Sequence, residues 1–189
     1  MVAKASKIMV IRHAEKPCSG IAGVAETGEA SARDLTVRGW QRAGALACLF
    51  APVRGPLQSP LLARPEFIFA SGAIGGPEGG NSKSRRSQQT LVPLAALLGI
   101  EINTSFSKGE ERALADAVQR CRGPVLVAWQ HEYIAAIVNL ITGTHAAPSA
   151  WPVDRFDMIF VLSLNPADGK YSFEQVPQCL LAGDSANLI

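Results

Sequence analysis

Short apolar runs alternate along the chain with segments in which apolar residues recur every three or four positions. The short runs predict strands at 7–12, 66–71, 101–103, 124–129, 158–164 and 171–176. The three-to-four spacing predicts helices from an N-cap at Thr36 to about 50 and at 84–98, 109–122 and 133–141. Turn-forming residues at 165–170 predict that the last two strands form a hairpin. Strands that alternate with helices predict an α/β sandwich with a mostly parallel central sheet.

Two segments lack a periodic pattern, and a third contains a helix breaker. Residues 18–34 are rich in Gly, Ala, Ser and Glu, which predicts a loop or lid. Residues 72–81 contain five glycines in ten positions and predict a mobile loop. Pro93 lies inside the helix predicted at 84–98, where we expect it to introduce a kink.

Composition limits the classes of protein that the chain can represent. At 189 residues and 48% hydrophobic composition, it is expected to form one domain over residues 1–189. A net charge of +2 without a basic run argues against nucleic acid as a partner. No apolar stretch approaches the roughly 20 residues of a membrane helix, and no signal peptide is visible, so we expect no membrane partner and a cytoplasmic location. Oligomeric state is left open.

Cysteine and histidine spacing gives no indication of a metal site. The four cysteines are scattered, without a CxxC motif, and the three histidines are far apart in the sequence. A structural zinc site is therefore not expected.

Two predicted strands end in a histidine. Arg12 and His13 follow the first strand, and His131 follows the strand at 124–129. If these strands are neighbours in a parallel sheet, both imidazoles reach one crevice beyond the carboxyl ends of the strands. Arg86 opens the helix that follows the second strand. Imidazole and guanidinium groups in one crevice suit a phosphoryl group, because arginine binds phosphate oxygens and a neutral imidazole can attack phosphorus.

Four motifs in this order are similar to those of a known family. They are Arg12-His13-Ala14-Glu15, Leu35-Thr36-x-x-Gly39-x-x-x-Ala43, Arg86-Ser87-Gln88-Gln89-Thr90 and the strand from Val125 to His131. Together they resemble the histidine phosphatase superfamily, the phosphoglycerate-mutase-like proteins. The resemblance implies a three-layer α/β/α sandwich of the phosphoglycerate-mutase-like type.

The resemblance also implies roles for individual residues. His13 would be the nucleophile that forms a phosphohistidine, and His131 would stabilise the charge of the transition state. Arg12 and Arg86 would bind the phosphoryl oxygens, and Lys16 would add a positive charge where some family members have another arginine. No metal or organic cofactor is required, since these cations stabilise the charge.

The residue that protonates the leaving alcohol has two candidates in the sequence. In one branch of the family it directly follows the second histidine, which here is Glu132. In another it is a glutamate on a loop between the equivalents of Arg86 and His131, which here gives Glu110 or Glu111. These two glutamates could instead be the charged first turn of a helix.

Simpler interpretations exist for several of these residues. His13 could be a loop residue that pairs with Glu15, and Arg85 competes with Arg86 for the phosphate-binding role. We interpret His145, which lies in a loop sequence, as structural or exposed. The order of the four motifs favours the functional interpretation of His13 and Arg86.

The chain departs from the family pattern between the second strand and its helix. A glycine-rich insert at 72–84 replaces the usual serine-proline-leucine-arginine-alanine run, so specificity need not follow known relatives. The short chain and the residues after His13 favour an open pocket and hydrolysis. We therefore expect a metal-independent phosphatase that acts on a phosphomonoester, either a small molecule or a phosphoprotein. The alternatives are a mutase-type phosphotransferase and a non-catalytic phosphate- or protein-binding module.

Overall fold

The structure is a computed structural model that describes residues 4–73 and 84–189. The elements in these residues are β1 (Lys7–Arg12), α1 (Val37–Phe50), β2 (Phe67–Ala70), α2 (Arg86–Leu98), β3 (Ile102–Asn103), α3 (Glu111–Gln119), β4 (Val125–Trp129), α4 (His131–Thr142), β5 (Met158–Leu164) and β6 (Tyr171–Pro177). The glycine-rich segment predicted to be a loop falls almost wholly outside the described residues. Every predicted strand and helix has a counterpart among these elements.

One six-stranded sheet has the strand order β3-β2-β4-β1-β5-β6. β1, β2, β3 and β4 run parallel, while β5 is antiparallel to β1 and to β6. This confirms both the mostly parallel sheet and the terminal hairpin. β1 and β4 are neighbours in the middle of the sheet, and Arg12 lies opposite Trp129 at their carboxyl ends.

Helices cover both faces of the sheet. α1 and α2 pack on the face that includes Met9 and Ile11, and α3 and α4 pack on the face that includes Ile8 and Val10. Because alternate side chains of the central strands enter opposite cores, these strands appear in the sequence as continuous apolar runs. The architecture is the expected three-layer α/β/α sandwich.

Several element boundaries differ from the sequence prediction. α2 begins at Arg86 rather than at 84 and continues through Pro93 to Leu98. α3 is shorter than predicted at both ends. α4 begins at His131 rather than at 133, directly after Gln130, because its polar first turn has no apolar periodicity to indicate a helix.

The segment at 18–34 is an irregular loop, as predicted, with local backbone pairing. Isolated bridges join Cys18 to Ile21, Val24 to Ala30 and Gly23 to Thr36. Within residues 4–73 and 84–189, no helix combines the length and apolar character that a membrane crossing requires.

Candidate active site

The carboxyl ends of β1 and β4 bring the two motif histidines to one edge of the sheet. The backbone N–H of His13 donates to the carbonyl of Trp129 at 3.1 Å. His131 is the first residue of α4, one position beyond Gln130. Both side chains are buried, and the charges of Arg12 and Lys16 lower the pKa of both. The two imidazoles therefore lie at the same edge of the sheet, close to the same two positive charges, as expected for neighbouring strands.

The hydrogen bond of His13 determines its tautomer. Its Nδ1 lies 2.7 Å from the carbonyl oxygen of Ala14. Because a carbonyl can only accept, Nδ1 carries the proton and Nε2 keeps a free lone pair. Burial lowers the pKa of His13 to about 4, against the hydrogen bond to Ala14, and the charges of Arg12, Arg86 and Lys16 lower it further. His13 is therefore neutral near pH 7.

Backbone carbonyls anchor one side of the Arg12 guanidinium. Its Nη1 donates to the carbonyls of Pro152, Val153 and Arg155 at 3.2, 2.8 and 2.9 Å. The guanidinium also lies over the ring of Phe156, 3.8 Å from the ring centroid. The segment before β5 thus holds Arg12 in one orientation beside His13.

The other side of the same guanidinium lacks partners. Nε and Nη2 of Arg12 are buried and have no hydrogen-bond acceptor within residues 4–73 and 84–189. An unsatisfied buried donor costs about 1–3 kcal/mol, and more when it is charged. Burial accordingly lowers the pKa of Arg12 to about 10, although the nearby carboxylates oppose this. Two adjacent unpaired N–H groups are suited to two oxygens of one anion.

Arg86 and Lys16 add positive charge around His13. The half-buried Arg86 donates from Nη2 to the carbonyl of Ala32 at 2.8 Å and from Nε to the carbonyl of Asp34 at 3.4 Å. Burial lowers the pKa of Arg86, while the Asp34 carboxylate opposes this change. Lys16 is exposed at the end of the loop that begins with His13. The structure thus brings three predicted phosphate-binding cations close to His13.

Gln89 and Thr90 explain the spacing of the Arg86 motif. The Thr90 hydroxyl accepts from the N–H of Ala14 at 2.8 Å and donates to the carbonyl of Arg86 at 2.7 Å. The Gln89 amide accepts from the N–H of Leu35 at 3.2 Å and donates to Asp34 at 2.5 Å. One turn of α2 therefore positions the loop after His13.

Thr36 and Gly39 hold the start of α1 against the same loop. The Thr36 hydroxyl accepts from the N–H of Gly39 at 3.1 Å, which confirms Thr36 as the N-cap. The N–H of Thr36 donates to the carbonyl of Glu15 at 3.0 Å. A Cβ on Gly39 would lie 2.6 Å from that carbonyl oxygen, so the close approach requires glycine.

Glu15 belongs to a cluster that the sequence did not reveal. Arg42 lies 2.8 Å from the Glu15 carboxylate and 2.7 Å from that of Asp184, and it also donates to Gln178 at 2.9 Å. Burial would raise the pKa of Asp184, but hydrogen bonds from Arg42 and two backbone N–H groups lower it to about 2. Because Glu15 pairs with Arg42, the interpretation that Glu15 satisfies His13 is wrong.

Glu132 lies next to His131 and is more than half exposed. Its Oε2 is 3.1 Å from Nδ1 of His131, but these two atoms do not form a hydrogen bond. Burial would raise the pKa of Glu132, but its own backbone N–H and neighbouring positive charges, among them those of Lys108 and Lys16, lower it overall. Burial, Arg12 and Lys16 lower the pKa of His131 against the opposing charge of Glu132. Glu132 is therefore ionised and His131 neutral near pH 7.

Glu110 and Glu111 make local contacts instead. Glu110 accepts from the N–H of Ser107 at 2.8 Å. Glu111 is buried and accepts from the Trp129 indole at 3.0 Å and from the N–H of Gly109 at 3.1 Å. In the described residues, neither carboxylate hydrogen-bonds His13 or His131. Glu111 thus fastens α3 to the end of β4.

Phe156 and the carbonyls at 152–155 are site components that sequence reasoning missed. Phe156 contacts Arg12 and lies 6.2 Å from the His13 ring, between ring centroids. Carbonyl contacts leave no mark in the side-chain pattern, so no sequence signal would have identified them.

His145 is exposed, as expected. Residues 4–73 and 84–189 contain no group of three or more His, Cys, Asp or Glu side chains placed to hold a metal ion.

Solved structures share this arrangement of sheet and helices. The chain is similar to the candidate alpha-ribazole-5'-P phosphatase of Escherichia coli, with a TM-score of 0.56 at 13% identity over 94% of this chain and 99% of that one. For a mycobacterial glucosyl-3-phosphoglycerate phosphatase, the TM-score is 0.53 at 13% identity, over 90% of this chain and 97% of that one. For an Entamoeba histolytica phosphoserine phosphatase, the TM-score is 0.53 at 12% identity, over 88% of this chain and 94% of that one. The chain has the histidine phosphatase fold.

The histidine phosphatase fold confirms what the four motifs implied about architecture. No family model matches the sequence, and no curated protein matches it either.

Proposed function

We propose that the protein is a phosphatase that hydrolyses a phosphomonoester through a phosphohistidine on His13, with no metal or organic cofactor. The main support is the pair of buried Arg12 nitrogens that have no acceptor among residues 4–73 and 84–189, next to an imidazole whose Nε2 is unprotonated. The histidine phosphatase fold is consistent with this proposal, since the similar structures named above include phosphatases.

Binding of the phosphoryl group begins with the cations. Nε and Nη2 of Arg12 donate to two phosphoryl oxygens, while Arg86 and Lys16 balance the remaining negative charge. Because both Arg12 nitrogens are covered, an oxygen reaches them when the Phe156 ring or a neighbouring side chain shifts. The exchange is favourable because it satisfies two donors that folding leaves unpaired.

The chemical step forms one bond and breaks another. Nε2 of His13 attacks phosphorus, the bond from phosphorus to the ester oxygen breaks, and that oxygen leaves with a proton from a carboxylic acid. Nδ1 keeps its proton and its bond to the Ala14 carbonyl, which holds the ring in place. Water then attacks the phosphohistidine, gives up a proton to the carboxylate, and releases phosphate and free His13.

We propose Glu132 as the acid. Its carboxylate lies beside His131 and near the positive charge of Lys16, whereas the Glu111 carboxylate accepts a hydrogen bond from Trp129. Its lowered pKa means that little of it is protonated near pH 7. A bound phosphoryl dianion raises the pKa of a neighbouring carboxyl group and favours the acid form.

Two variants separate Glu132 from Glu110. Glu132→Gln should lower kcat/KM, which reports only the steps up to release of the alcohol, about 10²–10⁴-fold for an alkyl phosphate and much less for an aryl phosphate, because phenoxide leaves without a proton. Glu110→Gln should leave both rates close to wild type. The reverse pattern would assign the acid to Glu110.

Turnover of phenyl phosphate in the presence of EDTA tests the proposed function. We expect the wild-type protein to release phosphate and His13→Ala to release none. Exposed His145 provides the matched control, so His145→Ala should keep the wild-type rate. Equal rates for His13→Ala and the wild-type protein would overturn the proposal.

The ionised state of Glu132 favours a second candidate, a non-catalytic phosphate-binding module. Such a module needs the cations of the crevice but no carboxylic acid. It would bind inorganic phosphate in a calorimetric titration, lose that affinity in Arg12→Lys, and release no phosphate from any ester.

A further inference from the structure

A cavity of about 560 Å³ adjoins the candidate active site. We call it the side cavity; its walls are residues 15–22, the start of α1, residues 153–157 and residues 183–185. The roles proposed for Arg12, His13 and Glu132 do not require this cavity.

Phe156 and Lys16 connect the side cavity to the residues of the proposed phosphoryl site. Phe156 lines it, contacts the Arg12 guanidinium and lies 6.2 Å from the His13 ring, between centroids. Lys16 lines it as well, and its charge lowers the pKa of His13 and His131. A group attached to a phosphoryl ester at His13 can therefore extend past Phe156 and Lys16 into the side cavity.

Ion pairs occupy most of the charged groups that line the side cavity; among residues 4–73 and 84–189, the exposed Lys16 and Asp154 are the lining charges without an ion pair. Arg42 pairs with Glu15 and Asp184, and Arg155 pairs with Asp157 at 2.6 Å. The Asp184 carboxylate also accepts from two backbone N–H groups, those of Leu180 and Leu181. Breaking such buried pairs to bind a hydroxyl group is costly, so these residues are poor partners for a polyhydroxylated ligand.

Apolar side chains form much of the remaining lining. Val37 and Val153 are 61% and 74% exposed, and Ile21 and Ala22 lie beside them with the ring of Phe156. Burying exposed aliphatic surface against an apolar group is favourable, at about 25 cal/mol per Å². Apart from Lys16 and Asp154, the lining that is free to interact therefore suits hydrocarbon.

We propose that the side cavity binds the alcohol part of the substrate and selects aliphatic or aromatic alcohols over polyhydroxylated ones. This inference rests on the proposed phosphatase function, of which it names the substrate class. The selective residues are Ile21, Val37, Val153 and Phe156.

Three alkyl esters test the selectivity without large differences in leaving-group chemistry: 3-methylbutyl phosphate, methyl phosphate and glycerol phosphate. Each buried methylene contributes about fourfold to binding, so two methylene equivalents give about 15-fold. We expect kcat/KM for 3-methylbutyl phosphate to exceed that for the other two esters by at least about tenfold, mainly through a lower KM.

A double variant, Val37→Ser with Val153→Ser, tests whether the side cavity causes this preference. In this variant, the ratio of kcat/KM for 3-methylbutyl phosphate to kcat/KM for methyl phosphate should fall about fivefold, because the KM for 3-methylbutyl phosphate rises. Val53 is 89% exposed and lies outside the side cavity, so Val53→Ser should preserve the ratio and serves as the matched control.

The outcomes separate the two proposals. Equal kcat/KM for all three esters, with turnover that still depends on His13, would overturn the side-cavity proposal and leave the phosphatase proposal standing. An unchanged ratio in the double variant would do the same. Absence of turnover with these esters and with phenyl phosphate would overturn the proposed function and the substrate class with it.

Discussion

The neutral state of His13 makes folding stability depend on pH. Burial lowers its pKa from 6.5 to about 4, so between these values the unfolded chain binds a proton that the folded chain does not. The free energy of unfolding is therefore highest above pH 6.5 and falls as the pH falls toward 4. At 1.36 kcal/mol per pKa unit, the expected loss from His13 alone is about 3 kcal/mol.

Replacement by asparagine isolates this contribution. In His13→Asn the side-chain amide can donate to the Ala14 carbonyl in place of Nδ1, but it does not titrate. Chemical denaturation at pH 8 and pH 4 gives the loss of unfolding free energy for each protein. We expect the wild-type protein to lose about 3 kcal/mol more than His13→Asn over this interval.

His145→Asn is the matched control, because it removes one exposed histidine from a loop. Its loss between pH 8 and pH 4 should equal that of the wild-type protein. If His13→Asn also loses as much as the wild-type protein, His13 is not held neutral by burial, and the argument for an unprotonated Nε2 fails.

Three further predictions concern the cations and carboxylates around the site. Arg12→Lys should lower kcat/KM at least about 10²-fold in a steady-state assay, because an ammonium group cannot form the two-nitrogen fork, while Arg85→Lys should have little effect. A pH series should show kcat/KM for an alkyl phosphate falling as pH rises from 5 to 7, where His13 is already neutral and Glu132 loses its proton, with a smaller fall for phenyl phosphate. Asp184→Asn should lower the unfolding free energy by about 3 kcal/mol in urea denaturation, because it removes a buried partner of Arg42.

Each of these predictions has an outcome that contradicts it. Wild-type kcat/KM in Arg12→Lys would mean that the unpaired nitrogens do not bind substrate. A pH profile that is the same for both esters would exclude Glu132 as the proton donor. Unchanged stability in Asp184→Asn would show that Glu15 alone suffices for Arg42.

The sequence predicted the parts of the fold that depend on side-chain pattern. β1 and β4 are buried on both faces, so continuous apolar runs identified them, and the ends of those runs located His13 and His131. Thr36 was predictable as an N-cap because its side chain makes the capping bond itself. Local chemistry of this kind is visible in a single sequence.

Contacts between distant segments were not predictable in the same way. Backbone carbonyls of Pro152, Val153 and Arg155, about 140 residues away in the chain, hold Arg12. Because every residue has a backbone carbonyl, the sequence does not indicate which ones bind Arg12. Arg42 and Asp184 are 142 residues apart in the chain and meet only in the folded structure. The choice between Glu132 and Glu110 also depends on such contacts, which is why the sequence left both open.

Direct detection of a phosphoenzyme is the measurement that tests the central claim. The protein would be mixed with phenyl phosphate, quenched in alkali to preserve phosphohistidine, and digested for mass spectrometry with assignment of the ring nitrogen. The account predicts phosphate on Nε2 of His13, since Nδ1 is bonded to the Ala14 carbonyl. Phosphate on Nδ1 or on another residue, or turnover without any phosphohistidine, would contradict it.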